Sequence, residues 1–329
     1  MDKYKNIKAI ADVSIGATIY IAETTSRGSE GGEKVIIKET DFQEFFDDFV
    51  ERVKYPKSYT KEEATVETYE VMNDVMREIR TMKRYCNCIE EKDNECLEHM
   101  PCFIETFHEK KKPENKFESY YLVQSYVEGK DLRDVMDYFD ENYKKGNEQT
   151  YTINILLLLL KTSKSLEYLH NKGLVHLDIK PDNIMVRVPS INPNKMEDVV
   201  FIDFGYSCLI GECNRELSGR SGRATYRLAP ELDRQNELAL ISPLEDWKPV
   251  DIYLLGKWVF RETVDTVLNI DYQAKEKSSG NNDVDKLIEQ MLNQNPKKRP
   301  KIREVVKELE RIINKIIKTN KGVFWIRSK

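Results

Sequence analysis

Apolar and polar positions alternate with a period near two along residues 7–40: KAIADVSIGATIYIAE, a Gly/Ser-rich turn at Gly28–Gly32, then KVIIKET. That period and the β-branched content predict antiparallel strands. From Glu62 to Tyr85 the period changes. Val66, Tyr69, Val71, Met72, Val75, Met76, Ile79 and Met82 recur at helical spacing among charges, which predicts one long amphipathic helix. A polar, acidic loop around Glu90–Glu98 follows. Two more strand-like runs come next, PCFIETFHE and SYYLVQSYV, parted by the lysine-rich turn KKKPENK. Beyond Gly129 the pattern is mainly helical: LRDVMDYF, then INILLLLLKTSKSLEYLH, apolar enough to be buried on most sides. The short strands NIMVRV and DVVFIDF interrupt it before VDIYLLGKWVFRETV, VDKLIEQMLN and KIREVVKELERIINKIIK restore helices.

With 329 residues and 40% apolar content the chain can bury a sizeable core. Its 52 basic and 57 acidic side chains nearly balance, so no overall field selects a nucleic acid or a membrane as partner. The longest apolar run, Ile155–Leu160, is far short of the roughly 20 residues that span a bilayer, and the N-terminus has no apolar signal core. A soluble, cytoplasmic protein is therefore expected. Six cysteines without an export signal lead to an expectation of reduced thiols. Cys86, Cys88, Cys96 and Cys102, with His99 among them, offer zinc-ligand chemistry in principle. Their spacing is not a paired C-x-x-C pattern, so loop cysteines are the better reading.

The chemistry is concentrated at His176–Asn183, HLDIKPDN, and twenty residues further at Asp203-Phe204-Gly205 after a strand. Other landmarks appear in order: VIIK at Val35–Lys38, LVQSYVEG at Leu122–Gly129, APE at Ala229–Glu231 and VDIYLLG at Val250–Gly256. Nearly the whole chain resembles the eukaryotic-type protein kinase family, serine/threonine class. The resemblance implies an α+β, two-lobed fold over residues 1–329. A β-rich N-lobe with helix C would occupy 1–125, a hinge 124–130 and a mainly helical C-lobe 131–329, with ATP in the cleft. Extra segments are expected near 41–62, 86–98 and 188–198.

By the same resemblance, Asp178 orients the substrate hydroxyl and accepts its proton, while Lys180 touches the γ-phosphate. Asp203 and Asn183 hold Mg²⁺, which Mn²⁺ can replace, because hard cations prefer oxygen ligands and offset the polyphosphate charge. Lys38 contacts the α- and β-phosphates and needs a helix glutamate; Glu67, Glu70 and Glu78 are candidates, and REIRTMKRY favours Glu78, with Met82 one turn on. Gln124 falls at the gatekeeper position, followed by Ser125, Tyr126 and Val127, whose backbone would meet the adenine edge. Glu231 would bridge to Arg299, Asp251 would take backbone N–H groups of the catalytic loop, and His176 and Phe204 would join a hydrophobic spine. His99 and Pro101 match the turn before the fourth strand.

Two departures bear on activity. The phosphate-covering loop aligns Ala11 and Val13 with the first two glycines of G-x-G-x-x-G, leaving Gly16 as the third and Thr18 where a valine usually covers the adenine. Leu177 stands where an arginine usually grips an activation-segment phosphate, although Ser207, Ser218, Ser221 and Thr225 lie among Arg215, Arg220, Arg223 and Arg227. The expected activity is ATP-dependent phosphorylation of protein serine or threonine. A nucleotide-poor pseudokinase scaffold is the second reading and a small-molecule or lipid kinase the third. Oligomeric state is not encoded in these patterns.

Overall fold

A computed structural model of the chain describes residues 3–14, 16–25, 32–51, 59–87, 94–143, 148–187, 198–213, 229–232, 246–261, 263 and 281–319. These fall into two compact units, Met1–Val127 with Phe204–Tyr206, and Glu128–Asp203 with Ser207–Lys329.

In the first unit, β1 (Tyr4–Ser14), β2 (Ala17–Thr24), β3 (Lys34–Asp41), β4 (Phe103–Glu109) and β5 (Ser119–Ser125) form an antiparallel sheet in the order β1-β2-β3-β5-β4. Alternation along β3 sorts its side chains. Val35 and Ile37 join Tyr4, Ala22, Tyr121 and Val123 in a buried cluster, which sends Lys38 to the opposite face. The register sets Lys38 across from Ile19 on one side and Leu122 on the other.

Two helices follow β3. α1 (Phe42–Glu51) lies in the segment read as an insertion, residues 52–58 of which lie outside the described set. Asp41 starts it by accepting the backbone N–H groups of Gln43 and Glu44 at 3.0 and 3.1 Å. α2 (Lys61–Tyr85) is the predicted amphipathic helix. Thr60 and Glu63 close a capping box at its start, and Ala64, Thr68, Glu78, Ile79 and Met82 are buried along it. The polar loop expected near residue 90 is partly a 3₁₀ helix, Asn94–Glu98, because Met100 and His99 turn their N–H groups back to the Cys96 carbonyl.

The second unit contains α3 (Leu132–Tyr143) and α4 (Glu148–Asn171), then α5 (Lys248–Leu254), α6 (Asn282–Met291) and α7 (Ile302–Thr319). Ile155, Leu156, Leu158, Leu159, Leu166 and Leu169 of α4 are buried, as its apolar composition predicts. α5 continues into a π-helical stretch, Leu255–Arg261. Two small sheets carry the functional loop: β6 (Lys130–Asp131), β8 (Ile184–Val186) and β9 (Val199–Phe201) form one, and β7 (Leu174–Val175) with β10 (Cys208–Leu209) the other. Among the described residues no helix is long and apolar enough to cross a membrane.

The expectation of reduced thiols fails for two cysteines: Cys208 and Cys213 form a disulfide, with Cα atoms 5.2 Å apart. Gly211, at φ +94°, and the Glu212 N–H bond to the Leu209 carbonyl reverse the chain within five residues and so bring them together. Cys86, Cys96 and Cys102 are buried and form no disulfide among the described residues, where no metal-binding group of side chains occurs either. Cys86 and Cys96 bring their sulfurs to 2.7 Å, and Cys102 turns its thiol to the Phe103 carbonyl. Cys88 lies outside the described set.

Candidate active site

The loop His176–Asn183 is suspended from a single buried carboxylate. Asp251, in the first turns of α5, accepts the backbone N–H groups of His176 and Leu177, each at 2.8 Å, and lies 3.0 Å from His170 Nε2. A carboxylate can serve three donors at once, and its burial makes these bonds costly to break. The predicted role of Asp251 is therefore visible in the geometry. His176 is fully buried and turns Nε2 to the Ile202 carbonyl at 3.1 Å, while Nδ1 faces the Asp178 N–H at 3.3 Å. Burial pulls its pKa below the usual histidine value, against the opposing pull of Asp251, Asp178 and Asp203. The His176 ring meets Phe201, with centroids 5.3 Å apart.

So anchored, the loop presents two polar side chains, those of Lys180 and Asn183, to one carboxylate. Lys180 Nζ is 2.8 Å from Asp178 Oδ2, and Asn183 Nδ2 donates to the same oxygen at 2.7 Å and to the Asp178 carbonyl at 2.9 Å. Those bonds use the nitrogen of the Asn183 amide, which directs its oxygen elsewhere. Pairing of Ile184 with Phe201, extended by Ile202 N–H to the Asn183 carbonyl, places Asn183 and Asp203 just beyond the same end of the β8/β9 ladder. Asp203 has φ +63° and Leu177 φ +65°, a left-handed backbone that non-glycine residues adopt sparingly and that is held here by the surrounding bonds.

In the first unit Lys38 Nζ lies 2.5 Å from Glu78 Oε1, so among the three candidate glutamates Glu78 is the partner. One residue before it, buried Arg77 donates to the Gly205 carbonyl at 3.2 Å and to Asp74 at 3.3 Å. Sequence reasoning missed Arg77, whose only local signal is its adjacency to Glu78. Gln124 is buried, and its Oε1 has no hydrogen-bond partner among the described residues. In the connector, Ser125 N–H donates to the Cys102 carbonyl at 2.9 Å and Tyr126 N–H to the Lys34 carbonyl at 3.3 Å. Val127 is buried at the end of the unit.

At the β1/β2 turn, Ala11 pairs with Ile19 and is exposed; Thr18 pairs with Asp12 and with Glu39. Val13 belongs to β1, with its side chain outside the described set. Gly16 is buried at φ +71°.

Of the activation-segment hydroxyls, Ser207 is fully buried and donates to the His176 carbonyl, which gives it a structural place rather than an accessible one. Ser218, Ser221, Thr225 and the neighbouring Arg215, Arg220, Arg223 and Arg227 lie outside the described residues. Glu231 accepts two hydrogen bonds from Arg299, at 2.7 and 2.6 Å. Arg299 also bonds the Pro249 and Asn293 carbonyls and stacks over Tyr253.

Comparison with known proteins agrees with this geometry. Residues 51–309 match the family model described as the protein kinase domain. The serine/threonine/tyrosine-protein kinase HT1 of Arabidopsis thaliana is 33% identical over 115 residues, 34% of this chain and 25% of that protein. Calcium/calmodulin-dependent protein kinase type I of Schizosaccharomyces pombe is 29% identical over 136 residues, 41% of this chain and 35% of that protein. The serine/threonine-protein kinase STE20 of Yarrowia lipolytica is 30% identical over 139 residues, 41% of this chain. The matches span 11% to 35% of the length of these relatives.

Proposed function

Because the chain belongs to the protein kinase family, we propose that it is an active serine/threonine kinase, transferring the γ-phosphoryl group of ATP to hydroxyls of protein substrates with Mg²⁺. The arrangement of Asp178, Lys180, Asn183 and Asp203 carries this reading. Asn183 commits its amide nitrogen to Asp178, which leaves its oxygen for a cation, and Asp203 adds a carboxylate from the same end of the β8/β9 ladder. Two oxygen donors of this kind suit Mg²⁺, which when bound would neutralise charge on the β- and γ-phosphates.

Asp178 would orient the substrate hydroxyl and take its proton as the oxygen bonds to the γ-phosphorus and ADP departs. Lys180, already beside Asp178, would offset charge on the transferred group. In the first unit, Lys38, held by Glu78, would meet the α- and β-phosphates. Gln124 Oε1, a buried acceptor without a partner among the described residues, would accept from an adenine amino group, and the backbone that follows Ser125 and Tyr126 would meet the ring edge. Glu231 and Arg299 support a platform for protein rather than small-molecule substrates.

The glycine-poor β1/β2 turn favours a pseudokinase as the second reading. Transfer of label from γ-labelled ATP to generic acidic and basic proteins separates the two. Phosphoserine or phosphothreonine formed by the wild type and absent with Asp203→Ala is the expected result. A folded wild type that transfers no label with Mg²⁺ or Mn²⁺ would overturn the proposal in favour of the scaffold.

A further inference from the structure

The helix α1 bears four phenylalanines, and three of them are pinned to the rest of the first unit. The Phe42 ring meets Tyr120 at 5.4 Å, Phe46 meets Phe117 at 5.4 Å, and Phe49 meets Tyr59 at 5.7 Å. Gln43 reinforces the attachment, its Oε1 accepting the N–H groups of Lys116 and Phe117 at 2.7 and 3.0 Å. Phe45 turns towards the β1/β2 turn instead. A Cβ added to Gly16 would lie 2.8 Å from Phe45 Cδ2 and 2.7 Å from the Asp41 carbonyl, so the glycine Cα rests directly against the ring and the helix start. The Gly16 carbonyl accepts the Asp41 N–H at 2.6 Å, and Asp41 is the residue that caps α1.

We infer that Phe45 is a positioning residue for nucleotide binding: α1 buttresses the β1/β2 turn through the Phe45–Gly16 contact and sets where that turn stands over the phosphates. The inference rests on the kinase reading above. In a glycine-rich turn, a pliable backbone can settle onto the phosphates as they bind. Here Ala11 and Val13 remove that freedom, so the position of the turn must be set beforehand, and the Phe45 ring against its remaining glycine does this. Gly16 itself is required for close packing under Phe45 and for its left-handed backbone.

The test compares wild type, Phe45→Ala, Phe45→Leu and Phe46→Ala, reading kcat, KM for ATP, KM for protein substrate and melting temperature. Phe45→Ala is expected to raise KM for ATP about fivefold to tenfold, leaving kcat and the protein-substrate KM within about twofold. Phe45→Leu should recover most of the loss. Phe46→Ala, which loosens the same helix from its other side, should lower the melting temperature without changing KM for ATP. An unchanged KM in Phe45→Ala, or an equal rise in Phe46→Ala, would overturn the inference while leaving the kinase reading intact. Should wild type bind nucleotide without transferring phosphate, the dissociation constant of a fluorescent ATP analogue replaces KM and the comparison stands. Absence of nucleotide binding by folded wild type would sink both.

Discussion

Lys38 and Glu78 stand forty positions apart in the chain, and the ammonium and carboxylate meet at 2.5 Å with both side chains largely withdrawn from solvent. A flexible lysine becomes a fixed point charge only through such a partner. Replacing Lys38 by Met should lower kcat by about a hundredfold or more, the scale of losing one preorganised electrostatic contact to the transition state. Glu78→Gln should act in the same direction more weakly. Initial rates at saturating ATP, beside melting curves showing retained fold, check this. Unchanged rates would remove the pair from catalysis.

Asp251→Ala would strip an acceptor from His170, His176 and Leu177 at once. Leaving those buried donors unsatisfied should cost about 2–4 kcal/mol, measured as a shift in urea midpoint. Activity should fall further than stability alone explains, because Asp178 directly follows the anchored backbone of His176 and Leu177. A variant with normal kcat would show that the loop holds its shape without this anchor.

Arg299 and Glu231 form a two-pronged bond that an ammonium cannot reproduce. Arg299→Ala should destabilise by roughly 3–5 kcal/mol, since it leaves a carboxylate uncompensated in a mostly buried place. Arg299→Lys should recover only part of this. Full recovery by lysine would mean that charge alone matters. Chemical denaturation of the three proteins decides it.

Lys111 spans Glu39 and Asp41 at 2.7 and 2.9 Å. Burial alone would raise both carboxyls. Bonds from Lys111, together with Tyr20 and Tyr121 for Glu39 and the Gln43 and Glu44 N–H groups for Asp41, bring them below their ordinary values. Groups depressed in the folded state stabilise it fully above the unfolded carboxylate range, near pH 4, and lose that contribution as pH falls through the folded values. Lys111 is shifted upward by the same contacts, after burial's opposing effect, so its contribution holds through neutral and moderately alkaline pH. Lys111→Gln should therefore cost about 1–2 kcal/mol at pH 7, the small end because the lysine is partly exposed. The difference should shrink as pH drops below about 4. A gap that stays constant down to pH 3 would contradict the pairing.

Leu177 is fully buried in the position from which an arginine would reach a phosphate. Phosphatase treatment should accordingly leave most activity in place; a large fall would show that another cation reads such a phosphate.

The candidate residues were legible as motifs, in an order that resembles the kinase family. HLDIKPDN, Asp203-Phe204-Gly205 and VIIK singled out Asp178, Lys180, Asn183, Asp203 and Lys38 as candidates, and the helical period over 62–85 located the helix that carries Glu78. The same resemblance marked Glu231, Arg299 and Asp251 as holding rather than reacting groups, and their bonds are of the holding kind. The thiol expectation failed at Cys208 and Cys213 because composition says nothing of a turn that closes on a left-handed glycine.

What the sequence by itself determined is therefore the set of chemical groups and the periodic elements that carry them, since both are written in local pattern. Only the tertiary structure decided which groups meet: Phe45 against Gly16, Arg77 on the Gly205 carbonyl, the left-handed backbone at Leu177 and Asp203. The FQEFFDDF segment shows why. Its spacing is that of an amphipathic helix, but which phenylalanine faces the β1/β2 turn depends on where β3 ends, how Asp41 caps the helix and what Phe42, Phe46 and Phe49 already occupy. Contacts of that kind are set by packing among elements distant in the chain, and no local period records them.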